Sequence, residues 1–202
     1  METFNSDTQT LEYPVTQQDA ENAVRVLLTW IGEDIGREGL IDTPARVARA
    51  FREMAGGKMA ADPSLILKRT FSSEGCDQMI WVKGVRFTSL CEHHLLPFVG
   101  QATLAYIPSG SVVGLSKIPR LIVELARRPQ IQERLTTQIA TTFDNALKPL
   151  GVGVIVTAKH HCMGCRGAKQ PDAEMITSSL LGVFRQPEVR AEFYQHTSGG
   201  HR

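Results

Sequence analysis

Five apolar residues, Ile131, Leu135, Ile139, Phe143 and Leu147, recur every four positions between residues 130 and 147. That spacing specifies one long helix with a single face committed to a core. Pro149 and Gly151 end the run. A stripe of that length needs an apolar surface to lie on, and its neighbours in the chain supply one. Residues 79–90, 100–107 and 111–115 are rich in Val, Ile, Tyr, Phe and Thr and are broken by Gly and Pro, so they read as strands. Residues 152–159 and 174–184 read as two more. A shorter helix over 117–127 carries Ile118, Leu121, Ile122 and Leu125 at helical spacing. Helices, strands, two helices and strands again make an α+β arrangement with a mainly antiparallel sheet and helices on one face. So small a sheet has open edges, and open edges invite pairing with other subunits.

Ahead of this core the sequence predicts a helix starting at Thr16, with Asp19 three residues on as a near capping box. Ala20, Ala23, Val24, Leu27, Leu28 and Ile31 would form its buried stripe, and Gly32 or Gly36 would end it. A second helix takes Thr43 as N-cap and Pro44 at its first position, with Val47, Ala50, Phe51 and Met54 as its apolar face and Gly56-Gly57 as its stop. A short last helix is expected over 188–195. The chain then divides into a loose arm (1–15), an N-terminal helical region (16–75), a catalytic region (76–196) and a mobile tail (197–202).

Composition excludes several classes. At 202 residues, with roughly 150 per domain, the chain makes one domain with extensions or two small ones. Hydrophobic residues at 42% and charged residues at 21% exclude a disordered or coiled-coil chain. Lys+Arg is 22 against Asp+Glu 21, which argues against non-specific nucleic-acid or membrane binding and requires any polyanion to meet a local cluster. METFNSDTQT lacks the basic and apolar regions of a secretory signal, and no apolar run approaches the ~20 residues that span a bilayer. The four cysteines, Cys76, Cys91, Cys162 and Cys165, are then expected as reduced thiols in a cytoplasmic protein, some of them metal ligands.

The chemistry concentrates in two clusters. Cys91-Glu92-His93-His94 offers Cys and His three apart, able to face one ion from a single turn; His160-His161-Cys162-Met163-Gly164-Cys165-Arg166-Gly167 follows a predicted strand. Cys-x2-His with a distant Cys-x2-Cys fits a closed structural zinc site of three Cys and one His. It fits equally a catalytic zinc with three protein ligands and an open position, which the spare bases His93 and His160 favour. A third feature is the strand-to-helix junction at Ser116-Lys117-Ile118-Pro119-Arg120. It reads either as a solvated charged turn or as an anion site where backbone N–H groups, Lys117 and Arg120 converge on phosphate. Gln132-Glu133 opens the long helix. The carboxylate either suits the positive end of the helix dipole or accepts two hydrogen bonds from a guanine edge.

Six stretches in order, REGLIDTPARVARAF (37–51), SLCEHHLLPFVG (89–100), AYIPSGSVVGLSKIPRLIVE (105–124), RPQIQERLT (128–136), HHCMGCRG (160–167) and SSLLGVF (178–184), carry a resemblance to the GTP cyclohydrolase I family over residues 16–195. The resemblance implies the tunnelling fold, whose small antiparallel sheets close into a barrel on oligomerisation, typically as a homodecamer with sites between subunits. It implies opening of the imidazole ring of GTP, release of C8 as formate and reclosure to 7,8-dihydroneopterin triphosphate. Cys91, His94 and Cys162 would bind zinc, with Cys165 where the family places no ligand. Gln132 and Glu133 would hold the guanine. Lys117, Arg120 and Arg166 would hold the triphosphate, joined by Arg46 from a neighbouring subunit. His93 and His160 would move protons, and Ser116 would act near the ribose. The rival readings are a non-catalytic zinc-stabilised oligomer that binds a purine nucleotide, and another enzyme of the same fold acting on a pterin or deazapurine.

Overall fold

The computed structural model describes residues 15–56 and 62–198; the expected arm, apart from Val15, lies outside the described residues, as do Gly57 and residues 199–202 of the tail. The chain separates into two compact units, Met1–Glu53 and Met54–Arg202.

In the first unit, helix α1 (Gln17–Trp30) begins as its sequence requires. The Thr16 hydroxyl accepts from the Asp19 N–H at 3.2 Å, and the Asp19 carboxylate accepts from the Thr16 N–H at 2.9 Å. Its stripe departs from expectation. No residue of α1 is buried, and Leu27 and Ile31 stay 60% and 63% exposed. Helix α2 (Thr43–Ala55) also differs at its start. Thr43 lies within the helix and its hydroxyl donates back to the Gly39 carbonyl at 3.2 Å, so it does not cap the helix.

The second unit is built on a five-stranded sheet. Strands β1 (Thr70–Ser72) and β4 (Ser111–Val113) pair as a separate two-stranded ribbon after a 3₁₀ turn over Pro63–Lys68. The main sheet contains β2 (Ile80–Cys91), β3 (Pro97–Ile107), β5 (Pro129–Gln130), β6 (Gly151–His160) and β7 (Glu174–Gly182), in the order β5-β2-β3-β6-β7. All neighbours are antiparallel except β2 and β5. β1 and β5, two or three residues long, are too short to show any alternation, which is why the sequence reading lacks them.

Helices α3 (Lys117–Ala126) and α4 (Gln132–Leu147) bury Ile118, Leu121, Ile122, Leu125, Leu135, Ile139 and Phe143. These side chains share one cluster with Leu104, Tyr106, Val152, Val154 and Val156 of the sheet. The alternate residues point to the other face. There Ala105 packs with Phe184 and Phe193, from a 3₁₀ turn over Val183–Arg185 and from α6 (Pro187–Ser198). Trp81 stacks on Phe193 with ring centroids 5.1 Å apart. Gly153 makes this approach possible, since a Cβ there would stand 2.6 Å from the Phe184 ring. α6 runs on through His196 and Thr197 to Ser198, past the expected 188–195 and into the segment expected to be mobile. The element order is that of a tunnelling fold: the N-terminal helices precede in the chain a second unit whose curled, incomplete sheet is an open half-barrel.

Candidate metal centre

Register brings the distant clusters to one end of the sheet. β3 is the common neighbour, pairing Leu90 with Pro97 on one side and Phe98 with His160 on the other. β5 adds a third row, Cys91 beside Gln130. The β2–β3 turn, the end of β6 and the start of α4 therefore share one edge.

Cys91 ends β2 and is buried. The turn after it is tight. The His94 and Leu95 N–H groups both donate to the Cys91 carbonyl, at 3.3 and 2.7 Å, and Leu95 takes a φ of 54°. This folds His94 back toward Cys91. Cys162 comes from α5 (His161–Gly164), the single turn after β6. One ligand atom from each of Cys91, His94 and Cys162 lies within 4.8 Å of the others. Around a tetrahedral zinc at about 2.3 Å per thiolate, two sulfurs stand about 3.8 Å apart, so a small contraction would seat the ion. The donor chemistry agrees. Burial and the adjacent Cys91 thiol push the Cys162 thiol up, as expected of two sulfurs crowded together, and the Arg166 charge offsets this in part. Cys165 is exposed and lies outside this cluster.

The bases stand beside the ligands. His93 Nδ1 is 3.9 Å from Cys91 Sγ, and the His93 and His94 rings are 6.4 Å apart. His160 stacks flat on Phe98, centroids 4.6 Å apart, with Nε2 2.8 Å from Gln132 Oε1. Burial lowers its pKa below the ordinary imidazole value, partly offset by the charge of Glu133. Glu133 itself is exposed in the first turn of α4. Gln132 is buried and its amide group is spent inside the chain. It donates to the carbonyls of Val156 (3.0 Å) and Met175 (2.8 Å) and reaches the Thr177 hydroxyl at 3.2 Å.

The cations divide. Ser116 is the N-cap residue of α3 but makes no side-chain cap. Lys117 and Arg120 of that helix border a cavity of about 460 Å³ together with Ile66, Val123, Glu124 and Arg127. Arg166 is exposed, following the turn that carries Cys162. Arg46 lies in the first unit, bonded to the Gly39 carbonyl and the Thr43 hydroxyl at 3.1 and 3.2 Å.

One group beside the centre has no counterpart in the sequence reading. Arg134 pairs with Glu92 in the metal turn and holds its carboxyl below the usual carboxylate range. The two are far apart in sequence, and nothing in either segment marks them as partners. Among the described residues no helix is long and apolar enough to cross a membrane.

A profile of the GTP cyclohydrolase I family matches residues 20–198. The chain belongs to the GTP cyclohydrolase I family. It is 51% identical over 178 residues to GTP cyclohydrolase 1 of Streptomyces avermitilis, covering 87% of this chain and 88% of that one. Its identity to the protein of that name from Desulforamulus reducens is 51% over 174 residues, 85% and 92% of the two chains. For the Rhodopirellula baltica protein it is 47% over 173 residues, 85% and 75%. As a member of the GTP cyclohydrolase I family the chain is a hydrolase, and the two clusters read from its sequence form one site that could coordinate a metal.

Proposed function

We propose that this protein opens the imidazole ring of GTP at C8, releases formate and forms 7,8-dihydroneopterin triphosphate, the first step of tetrahydrofolate and pterin synthesis. The observation that carries this reading is the convergence of Cys91, His94 and Cys162 beside His93 and His160, in a member of the GTP cyclohydrolase I family. The ion is zinc, which the two thiols and one imidazole suit; when bound it supplies a Lewis acid that polarises water for attack on C8.

The chain's own residues do the rest. Glu133, exposed at the start of α4, accepts the two N–H groups of the guanine edge. Lys117 and Arg120, with Arg166, take the triphosphate and anchor the nucleotide far from the reacting atom, which holds C8 in place. Arg46 completes this set from a neighbouring subunit. His93 and His160 exchange protons with the opening ring, and Ser116 acts at the ribose during the later rearrangement. The protein works as a cytoplasmic homo-oligomer, a decamer on the family pattern, because the open half-barrel leaves sheet edges unpaired.

The test is direct. Purified protein incubated with GTP is expected to release formate and to yield a fluorescent pterin after oxidation. Inorganic phosphate without formate would overturn the reading.

A further inference from the structure

The side chains on either side of Glu133 do not point to a common ligand. Each ties α4 to a different wall of the site. Gln132 is 1% exposed, and its amide nitrogen meets two main-chain carbonyls and a hydroxyl. Flipping the amide would set oxygen against those carbonyls, so its orientation is determined. Its oxygen therefore faces His160, and the contact at 2.8 Å requires the His160 Nε2 to carry the hydrogen and donate. In the neutral ring the lone pair then belongs to Nδ1. The stacking on Phe98 fixes the plane of the same ring.

Arg134 acts on the opposite wall. Its Nε donates to Gln130 Oε1 at 2.9 Å, and its terminal nitrogen donates to the Glu92 carboxylate and to the Pro129 carbonyl at 3.3 Å. Gln130 is fully buried and is held in turn by the Leu125 carbonyl and Gln138, at 3.0 and 2.8 Å. The Glu92 N–H donates to the Gln130 carbonyl at 3.0 Å. The metal turn is thus fastened at both backbone and side chain, at the residue between the ligand Cys91 and the base His93.

We propose that the first turn of α4 is a clamp in which Gln132 and Arg134 are positioning residues. Gln132 sets the ring plane and tautomer of His160. Arg134, through Glu92, holds the Cys91–His94 turn in the geometry that takes the metal. Glu133, between them, is left free to meet the base, so one helical turn registers the base, the metal turn and the proton-transfer histidine against one another. This rests on the reaction proposed above for the role of Glu133 and His160, but the Arg134 arm needs only the metal.

The experiment has two arms. In the first, zinc-loaded parent, Arg134→Met, Glu92→Gln and the double variant are challenged with a chromogenic chelator. Each single variant is expected to release zinc about 10- to 100-fold faster, as for the loss of a group that orients a ligand. The double variant should be no worse than the singles, because all three remove the same contact. Parent-like zinc release in both singles, or additive losses in the double, overturns the clamp. Should Arg134→Met fail to assemble, the exposed and isosteric Glu92→Gln carries this arm alone. In the second arm, Gln132→Met should keep its zinc and lower kcat about tenfold or more, with KM for GTP within about twofold. A raised KM with unchanged kcat would return Gln132 to the base. Because chelation needs no turnover, a parent that releases no formate from GTP sinks the proposed reaction while the clamp is still decided by zinc release.

Discussion

Cys162 and Cys165 stand one helical turn apart and have different surroundings. Cys162 is partly buried and faces Cys91, while Cys165 is exposed and outside the cluster. Cys165 as a fourth ligand, a third thiolate, would occupy the coordination position that water needs. Cys162→Ser is therefore expected to lose metal and turnover, and Cys165→Ser to keep both, as measured by zinc content and formate release. Loss of zinc from Cys165→Ser would show a closed structural site. Glu133 is the other residue where one atom group decides the outcome. In the reaction proposed above, removing its carboxylate would leave two guanine N–H groups without partners, at a cost of about 1–3 kcal/mol. Glu133→Ala should lower kcat/KM for GTP accordingly while the protein stays folded and zinc-loaded. If parent enzyme turned over ATP as well as GTP, the assignment of Glu133 to the base would be wrong.

At the scale of elements, the attachment of α6 depends on a missing side chain. Phe184 and Phe193 are both fully buried, and their rings lie 2.6 and 3.0 Å from where a Gly153 Cβ would project. Neither ring can swing into solvent, so an added methyl must displace the helix. Gly153→Ala is expected to destabilise the protein by about 1–3 kcal/mol, the usual range for overpacking a tight core. Thermal denaturation measures it, and an unchanged midpoint would mean that α6 is loosely held. Helix α3 offers a contrasting case, because Lys117 lies at the positive end of its dipole, where a cation is unfavourable without an anion. Lys117→Ala should therefore raise KM for GTP and leave zinc content unaltered; unchanged kinetics would make the residue an ordinary solvated charge.

The molecule as a whole carries more apolar surface than one chain can hide. Val26, Leu27, Trp30 and Ile31 of the first unit are all at least 60% exposed, and Trp30 is 81% exposed. A cavity of about 580 Å³ on the sheet is lined by polar and charged side chains, Lys83, Arg86 and Gln101 among them, and by apolar ones, Phe87, Val99 and Ile155 among them. An exposed apolar helical face of this kind marks a surface for other copies of the chain to cover. Sedimentation should find a species many times the 22.3 kDa of the chain. Trp30→Glu should shift it to smaller species. A monomer with full activity is the result that rules this out.

The sequence by itself determined the kinds of elements and most of their limits. Ile131, Leu135, Ile139, Phe143 and Leu147 recur over a run too long for a single strand and stopped by Pro149 and Gly151, which leaves a helix, and the Thr16–Asp19 cap is complete within four residues. Two of the candidate metal ligands, Cys91 and His94, were legible for a similar reason, because Cys-x2-His spaces two donors within one turn whatever surrounds it, whereas the choice of Cys162 over Cys165 came from the family resemblance. What closes over long separations was not. The register of β3 against β6, which sets Phe98 beside His160, is one of several that alternation allows. The Glu92–Arg134 pair and the internal bonds of Gln132 join residues that no local pattern relates. Whether the α1 stripe is covered was equally beyond local reading, since periodicity says that a face is apolar and not what lies against it. Local periodicity and spacing are properties of a few consecutive residues, whereas register, burial and partner choice arise only when distant segments compete for the same surface.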